Sequence, residues 1–372
     1  MGSRSDFLIV GGGIIGLSIA WFLSNQGASI TVLERNTPGS GASGAAAGML
    51  APFAESVHGG PFVDLGRRSL EIYDEFIAAV NSAASSSILN NSPGLLRVAT
   101  TLDEYTSLKG TFETQLAAGY KVLFIDSDEV KTYEPGLSST ILGAVYSPSE
   151  KQIDPRTLCN GLSTAVQRRR VKILSSCNVT KIHRSGEHAT CVTAGGNRYE
   201  FGQLIIAGGA WTTELATLFG SKIPIKPIKG QILSLQTGAP SLSHTIYGEH
   251  GYIVPRQDGK LVIGATVEDV GFNTDVTVNG ISQLIGIARK YLADINEARV
   301  VDSWAGLRPA SPDGLPILGK VPGLSNVLVA TGHYRNGILL APITGKLIAD
   351  LVVDGKYDPL LSFFSPERFL TL

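Results

Sequence analysis

The sequence predicts a mixed α/β fold, α+β overall. A Rossmann-like domain is interleaved with a second domain that is built on a mainly antiparallel β-sheet with helices on one face. Two observations predict this architecture. Residues 7–34 form a strand–helix–strand pattern with a glycine-rich turn, and runs of short strands twice interrupt the alternation of strands and helices that follows. A chain of 372 residues is long enough for two such domains.

The first unit consists of an apolar strand at residues 7–10, a glycine-rich turn, an apolar helix to about residue 26 and a strand at 29–33. Gly11, Gly13 and Gly16 have the G-x-G-x-x-G spacing, in which glycines allow a tight turn, approach of a pyrophosphate and helix–strand packing. The helix N-terminus presents N–H groups and a positive dipole end to phosphates. The sequence therefore predicts a bound dinucleotide.

Glu34 ends the second strand, where a carboxylate accepts a hydrogen bond from a ribose hydroxyl. An acid at this position argues against a 2′-phosphate, so FAD and NAD both remain open. The loop that follows, residues 37–50, contains almost only small side chains, which would let its backbone lie against a ligand.

The remaining elements follow from periodicity and turn signals. Helical spacing covers residues 64–80 and 102–118, and Asp154 followed by Pro155 predicts the start of a helix that runs to about 167. Two further helices are predicted, at 281–292 and from Gly332–Gly337 to about 352. Strands are predicted at 95–99, 122–125, 144–146, 171–174, 179–183, 203–207, 230–235, 251–255, 261–266, 299–305 and 327–330.

These elements divide the chain into five pieces. We assign residues 1–85, 150–222 and 309–372 to the dinucleotide-binding domain. Residues 86–149 and 223–308 are assigned to the second, substrate-binding domain. The site is expected where the two domains meet.

Composition excludes several classes of function. A net charge of −1 lacks the excess of positive charge that is typical of nucleic-acid-binding proteins. No apolar run has the length of a membrane span. The three cysteines, Cys159, Cys177 and Cys191, have no metal-like spacing, so we expect buried, reduced thiols and no metal site. No signal peptide fits before Gly11, which predicts a cytoplasmic protein.

Several motifs together resemble the D-amino-acid oxidase family of FAD enzymes. They are Gly11–Gly16, Glu34, Gly208-Gly209-Ala210-Trp211, Asp313-Gly314-Leu315-Pro316 and Gly332-His333-Tyr334-Arg335-Asn336-Gly337. Within the family the chain is similar to the branch that oxidises glycine for thiamine biosynthesis. The similarity is almost residue for residue at 45–50, 252–256, 304–309 and 332–342.

The resemblance implies that the cofactor is FAD. It assigns the pyrophosphate to the first motif, the ribose to Glu34, the adenine to the backbone of Val179 and the flavin to the N-terminus of the last helix. Covalent relatives attach the flavin through a cysteine that has no counterpart between Arg308 and Leu318, so the FAD is expected to be noncovalent. The full predicted set is Gly11, Gly13, Ile14, Ile15, Gly16, Glu34, Arg35, Ser43, Gly44, Ala46, Ala47, Gly48, Met49, Val179, Gly208, Trp211, Gly332, His333, Arg335, Asn336, Gly337, Ile338 and Leu339.

On the substrate side, the resemblance makes Arg308 the ligand of an α-carboxylate, a role that suits the two-pronged guanidinium. Tyr252 would bond the same carboxylate, and Arg335 would lie near the flavin edge. Four further residues are predicted around the pocket: Met49 as its cap, Glu55 at its mouth, His250 on the strand face of Tyr252, and Val267 as a departure from the family pattern.

The implied reaction is oxidative deamination of glycine and other small primary or secondary amines, such as sarcosine and D-alanine. Hydride transfer to flavin N5 would give an imine, then glyoxylate and ammonia, with O2 reduced to hydrogen peroxide. The imine would also serve thiazole formation in thiamine biosynthesis, and the family implies a homotetramer. Three alternatives stay open: a D-amino-acid dehydrogenase that uses another electron acceptor, a sarcosine- or proline-preferring oxidase, and an FAD module in RNA modification or with a scaffolding role. The near-zero net charge speaks against the RNA alternative.

Overall fold

A computed structural model describes residues 4–55, 59–91, 93–237 and 242–370. Within these residues the chain forms two large β-sheets, a small sheet and a set of helices. The strands are β1 (Ser5–Val10), β2 (Ile30–Leu33), β3 (Met49–Leu50), β4 (Asn90–Asn91), β5 (Leu95–Ala99), β6 (Leu123–Asp126), β7 (Gly143–Ser147), β8 (Lys151–Ile153), β9 (Lys172–Leu174), β10 (Val179–Ser185), β11 (His188–Ala194), β12 (Asn197–Ile206), β13 (Lys226–Gln236), β14 (Thr245–Gly248), β15 (Gly251–Pro255), β16 (Lys260–Gly264), β17 (Arg299–Ala310), β18 (Ile317–Lys320) and β19 (Val327–Thr331). The α-helices are α1 (Ile14–Ser24), α2 (Ala42–Ala45), α3 (Pro52–Glu55), α4 (Pro61–Ala84), α5 (Leu102–Ala117), α6 (Ser127–Tyr133), α7 (Pro155–Arg168), α8 (Thr212–Thr217), α9 (Val278–Tyr291), α10 (Gly337–Val353) and α11 (Leu360–Phe364).

The first sheet has the order β10-β11-β12-β1-β2-β9, and β19 joins it by pairing with β12. Strand β1 lies between β2 and β12 and is parallel to both. Its apolar run is buried on both faces, because Ile9 packs among helices α1, α4, α7 and α10, whereas Leu8 packs into the cluster on the opposite face. This arrangement places the turn between β1 and α1 at the carboxyl edge of the sheet.

The second sheet has the order β17-β13-β16-β15-β14-β5-β7-β6, and all neighbouring pairs are antiparallel except β14 with β5. One face packs against α9, where Ile253 and Ile263 meet Leu284 and Tyr291. Because side chains alternate along a strand, Tyr252 points to the other face, where it clusters with Ala47 of the small-residue loop. The predicted mainly antiparallel sheet is confirmed; α9 covers one face, and α5 packs on the other face beside Ala99 and Val145.

The structure also contains elements that the sequence did not predict. Strands β11, β14 and β18 were missed, since they are short or rich in polar and turn residues. A small sheet joins β3, β8 and β4, so the end of the small-residue loop is tied to residues 151–153 and, through them, to residues 90–91. All three cysteines are buried and unpaired, as expected. Within the described ranges, no helix has both the length and the hydropathy needed to cross a bilayer.

Candidate active site

The glycine-rich turn has a distinct physical reason for each glycine. A Cβ at Gly11 would lie 2.2 Å from the carbonyl oxygen of Ala207, and the residue has φ +110°, a conformation that L side chains rarely adopt. A Cβ at Gly16 would lie 2.0 Å from the Gly11 carbonyl oxygen. At Gly13 the nearest protein atom would be the Ser43 hydroxyl, at 3.3 Å. Protein packing therefore demands glycine at Gly11 and Gly16, whereas the space at Gly13 faces the adjoining cavity.

Glu34 organises the same turn through its carboxylate. One oxygen accepts from the Gly12 N–H at 2.7 Å, and the other accepts from the Asn36 N–H at 2.8 Å. A carboxylate has about four lone-pair sites, so both oxygens can accept a further hydrogen bond. The residue lines the large cavity beside the turn, and its role as a ribose partner stays a prediction.

That cavity has a volume of about 720 Å³ and runs along the carboxyl edge of the first sheet. Arg35 lies over the ring of Trp211, with the guanidinium carbon 3.5 Å from the ring centroid, and Phe272 stacks on the same tryptophan. Phe272 lies between β16 and α9 and was not predicted. The predicted cofactor residues that line the cavity are Gly11, Gly13, Ile14, Ile15, Glu34, Arg35, Ser43, Ala46, Val179, Gly208, Trp211, His333, Arg335, Gly337 and Ile338.

The small-residue loop is held in place by long side chains that donate hydrogen bonds to its carbonyls. Arg156 Nε donates to Gly44 at 3.0 Å, Trp304 Nε1 to Ala45 at 3.0 Å and Arg256 Nη2 to Ala47 at 2.7 Å. On the cavity side, the Ser43 hydroxyl accepts from the Ile14 N–H at 3.0 Å. The loop is thus a fixed wall rather than a flexible linker.

A second, smaller cavity of about 70 Å³ adjoins the large one. The two share Ala42, Ala46, Gly306, Tyr334, Arg335 and Ile338 among their lining residues. The small cavity also contains Tyr252, Arg308 and Met49 from the predicted substrate set, and Ala47, Gly48 and Asn336 from the predicted cofactor set. Residues that are distant in the chain therefore meet where the two cavities join.

The Arg308 side chain lies on the face of the second sheet that borders the small cavity. Its Nη1 donates to the carbonyls of Lys229, at 3.3 Å, and Thr266, at 3.0 Å. The guanidinium lies over Gly230, where a Cβ would come within 2.3 Å of Nη2. In the same way the Tyr252 ring lies over Gly264, where a Cβ would be 2.3 Å from the hydroxyl oxygen. Gly230 and Gly264 were not predicted, although they provide the space for both substrate residues.

The turn before α10 closes the junction of the two cavities. Gly332 and Tyr334 both have positive φ, at +73° and +48°, and the Tyr334 N–H donates to the Pro309 carbonyl at 3.1 Å. A non-glycine residue in this conformation is strained and persists only where its surroundings hold it. His333 provides part of that support, because its Nε2 lies 3.0 Å from the hydroxyl of Thr344 in α10. Complete burial lowers the pKa of His333 to about 3, so the imidazole is neutral at pH 7.

We expect His333 to make the protein sensitive to acid. An unfolded histidine has a pKa of about 6.5, so between that value and about 3 the unfolded chain binds the extra proton. The free energy of unfolding should therefore fall as the pH drops below 6.5, by roughly 1 kcal/mol per pH unit from this group. Urea unfolding between pH 7 and pH 5 measures the slope. His333→Gln should make this pH dependence shallower. An unchanged slope would show that His333 is not its source.

Several predicted residues lie elsewhere than expected. His250 was wrongly placed on the strand face of Tyr252: β15 begins at Gly251, and the imidazole lies 3.4 Å from the Glu104 carboxylate at the surface. Val267 follows the carbonyl partner of Arg308, but its side chain is 62% exposed and does not line either cavity. Glu55 ends α3, and its side chain lies outside the described residues.

Four predicted cofactor residues support the cavity walls without lining them. Gly16 packs against the turn, and Leu339 is fully buried in the core. The Gly44 carbonyl accepts a hydrogen bond from Arg156 Nε, and Gly332 has the positive φ of the turn before α10. Their positions are explained by packing and backbone conformation, so no direct cofactor contact is needed to account for them.

The chain is similar to several known proteins over most of its length. Residues 6–351 match the family model described as DAO, FAD dependent oxidoreductase. The chain is 36% identical over its whole length to the bifunctional protein ThiO/ThiG of Synechocystis sp., and spans 55% of that protein. It is 34% identical to the glycine oxidase of Bacillus licheniformis, with 95% of the chain and 94% of that protein covered. The crystal structure of glycine oxidase from Geobacillus kaustophilus matches with a TM-score of 0.95 at 33% identity, covering 99% of each chain.

Proposed function

We propose that this chain, which belongs to the FAD-dependent oxidoreductase family, catalyses the oxidative deamination of glycine and other small amines. The observation that supports the proposal is the meeting of Arg308 and Tyr252 in a small cavity that adjoins the larger, glycine-lined one. FAD is the family's cofactor, and the glycine cradle, the Glu34 carboxylate and the helix N-termini fit its ribose and phosphates.

Bound FAD would supply the electron acceptor: it would take a hydride from the substrate Cα while the substrate nitrogen loses a proton, and these two electrons and two protons would leave with O2 as hydrogen peroxide. The chain supplies orientation. Arg308 pairs with the α-carboxylate, Tyr252 donates to the same group, and Arg335 lies at the junction of the cavities. Met49 and Ile232 form apolar walls that exclude water and long side chains. Released imine would hydrolyse to glyoxylate and ammonia without a dedicated acid–base pair.

Anaerobic bleaching of the flavin tests this function. Purified holoenzyme is mixed with glycine, sarcosine, D-alanine or L-proline, and peroxide is then measured in air. We expect glycine to bleach the flavin and air to yield peroxide. Bleaching without peroxide would favour a dehydrogenase, and much faster bleaching by sarcosine or proline would favour an oxidase for those amines. No bleaching by any of them would overturn the proposal.

The same proposal predicts an effect at Gly230. In Gly230→Ala the new methyl group would occupy the place of the Arg308 guanidinium, which is the flexible end of a side chain and can shift. Stability should change little, whereas the KM for glycine should rise about 10- to 100-fold, because a displaced charge-assisted hydrogen bond is worth roughly 1.5–3 kcal/mol. Steady-state kinetics measure the effect.

Gly286→Ala is the matched control for this substitution. Gly286 lies in α9 of the same domain, and a Cβ there would meet no atom within 4 Å. Its KM should equal that of the unaltered protein. Equal KM values for the two variants would show that a glycine at position 230 is not needed to position the Arg308 guanidinium.

A role in thiamine biosynthesis, with the imine consumed in thiazole formation, is part of the proposal and is supported by similarity to a ThiO/ThiG protein. The domain borders, the homotetramer and the cytoplasmic location stay predictions.

A further inference from the structure

Helix α10 contains a proline close to its N-terminus. Pro342 has no N–H, so the carbonyl of Ile338, four residues earlier, lacks its helical donor. Ile338 is buried, and an unsatisfied buried carbonyl costs about 1–3 kcal/mol. Some other group must therefore satisfy this carbonyl.

Tyr73 of helix α4 supplies the missing donor. Its hydroxyl donates to the Ile338 carbonyl at 3.0 Å, and its side chain is fully buried. One turn earlier on α4, the Ser69 hydroxyl donates to the neighbouring Leu339 carbonyl at 2.6 Å. Burial raises the pKa of the Tyr73 hydroxyl, which keeps it protonated as a donor. The two contacts differ, because Ile343 can still donate to Leu339 within the helix, whereas Pro342 cannot donate to Ile338.

The first turn of α10 is also part of the site. Ile338 lines both cavities, and Gly337 lines the larger one. The first N–H groups of a helix have no partner within it, and the helix dipole is positive at this end. The orientation of this turn therefore determines how its N–H groups face the cofactor.

We propose that Tyr73 is a positioning residue for the FAD. By replacing the donor that Pro342 removes, it holds the first turn of α10 in the orientation in which its N–H groups stabilise the negative charge of the reduced cofactor. The inference rests on bound FAD and is independent of which amine is the substrate.

Redox titration of the holoenzyme against a dye, without substrate, tests the proposal. In Tyr73→Phe the equilibrium constant for flavin reduction should fall at least about threefold, or ~14 mV for a two-electron couple. Ser69→Ala, on the same helix face, should give a smaller change. Pro342→Ala restores an N–H that can donate to Ile338. In the double variant Tyr73→Phe/Pro342→Ala, the constant should therefore return to that of Pro342→Ala alone.

Unfolding curves and the FAD content of each variant separate this effect from loss of fold. An unchanged constant in Tyr73→Phe would overturn the proposal, as would a loss of equal size in both Pro342 backgrounds. Failure of glycine to bleach the flavin would overturn the proposed substrate but leave these titrations unaffected.

Discussion

Replacing Arg308 with alanine is expected to lower kcat/KM for glycine about 30- to 1000-fold, or ~2–4 kcal/mol. The guanidinium is fixed by the carbonyls of Lys229 and Thr266 and faces the small cavity together with Tyr252. Its removal would leave the substrate carboxylate without its charge partner in a narrow site. The loss should appear mainly as a raised KM, because the carboxylate is bound equally in the ground state and the transition state.

Two comparisons separate carboxylate binding from general damage. Arg308→Lys keeps the charge but loses the two-pronged geometry, so it should fall between the unaltered protein and the alanine variant. Ethylamine, which has no carboxylate, should be oxidised equally slowly by all three proteins. The FAD content should be unchanged, since Arg308 does not line the large cavity. A KM for glycine near that of the unaltered protein would remove Arg308 from the site.

The sequence predicted the glycine-rich turn and its flanking strands well because their signals are local. The turn from Gly11 to Gly16, the strands on either side and Glu34 lie within one stretch, so spacing alone carries their geometry. Strand alternation was less reliable at element ends. His250 was placed beside Tyr252 by period-two reasoning, but β15 begins at Gly251, which has φ +155°, and His250 lies in the turn between β14 and β15.

The contacts that position Arg308 and Tyr252 join residues that are far apart in the sequence, so sequence spacing could not predict them. Gly230 is important only because the side chain of Arg308, which pairs with Ile228 on the neighbouring strand, extends over it. Likewise Tyr73 follows helical periodicity as an ordinary core residue, and only the structure reveals its hydrogen bond to a carbonyl 265 positions along the chain. The assignments of Arg308 and Tyr252 came from family resemblance, and their shared cavity is consistent with them.

Replacing Gly11 or Gly13 with alanine should separate the two reasons for a glycine in the cofactor turn. At Gly11 the added Cβ would lie 2.2 Å from the backbone oxygen of Ala207, which cannot move away without moving the backbone. The residue also has φ +110°, a conformation that alanine rarely adopts. We expect Gly11→Ala to destabilise the apoprotein by more than about 2 kcal/mol and to abolish FAD retention. Thermal unfolding with and without added FAD, and flavin content after gel filtration, measure both effects.

Gly13→Ala should behave differently, because the added methyl group would meet only the Ser43 hydroxyl, at 3.3 Å. The apoprotein should therefore unfold close to the unaltered temperature, whereas FAD should bind at least about 100-fold more weakly, since the methyl group projects into the space of the pyrophosphate. If Gly13→Ala retained FAD normally, the pyrophosphate would have to lie elsewhere along the cavity. If both variants lost stability equally, the turn would be constrained by packing alone, and the G-x-G-x-x-G spacing would carry no information about the ligand.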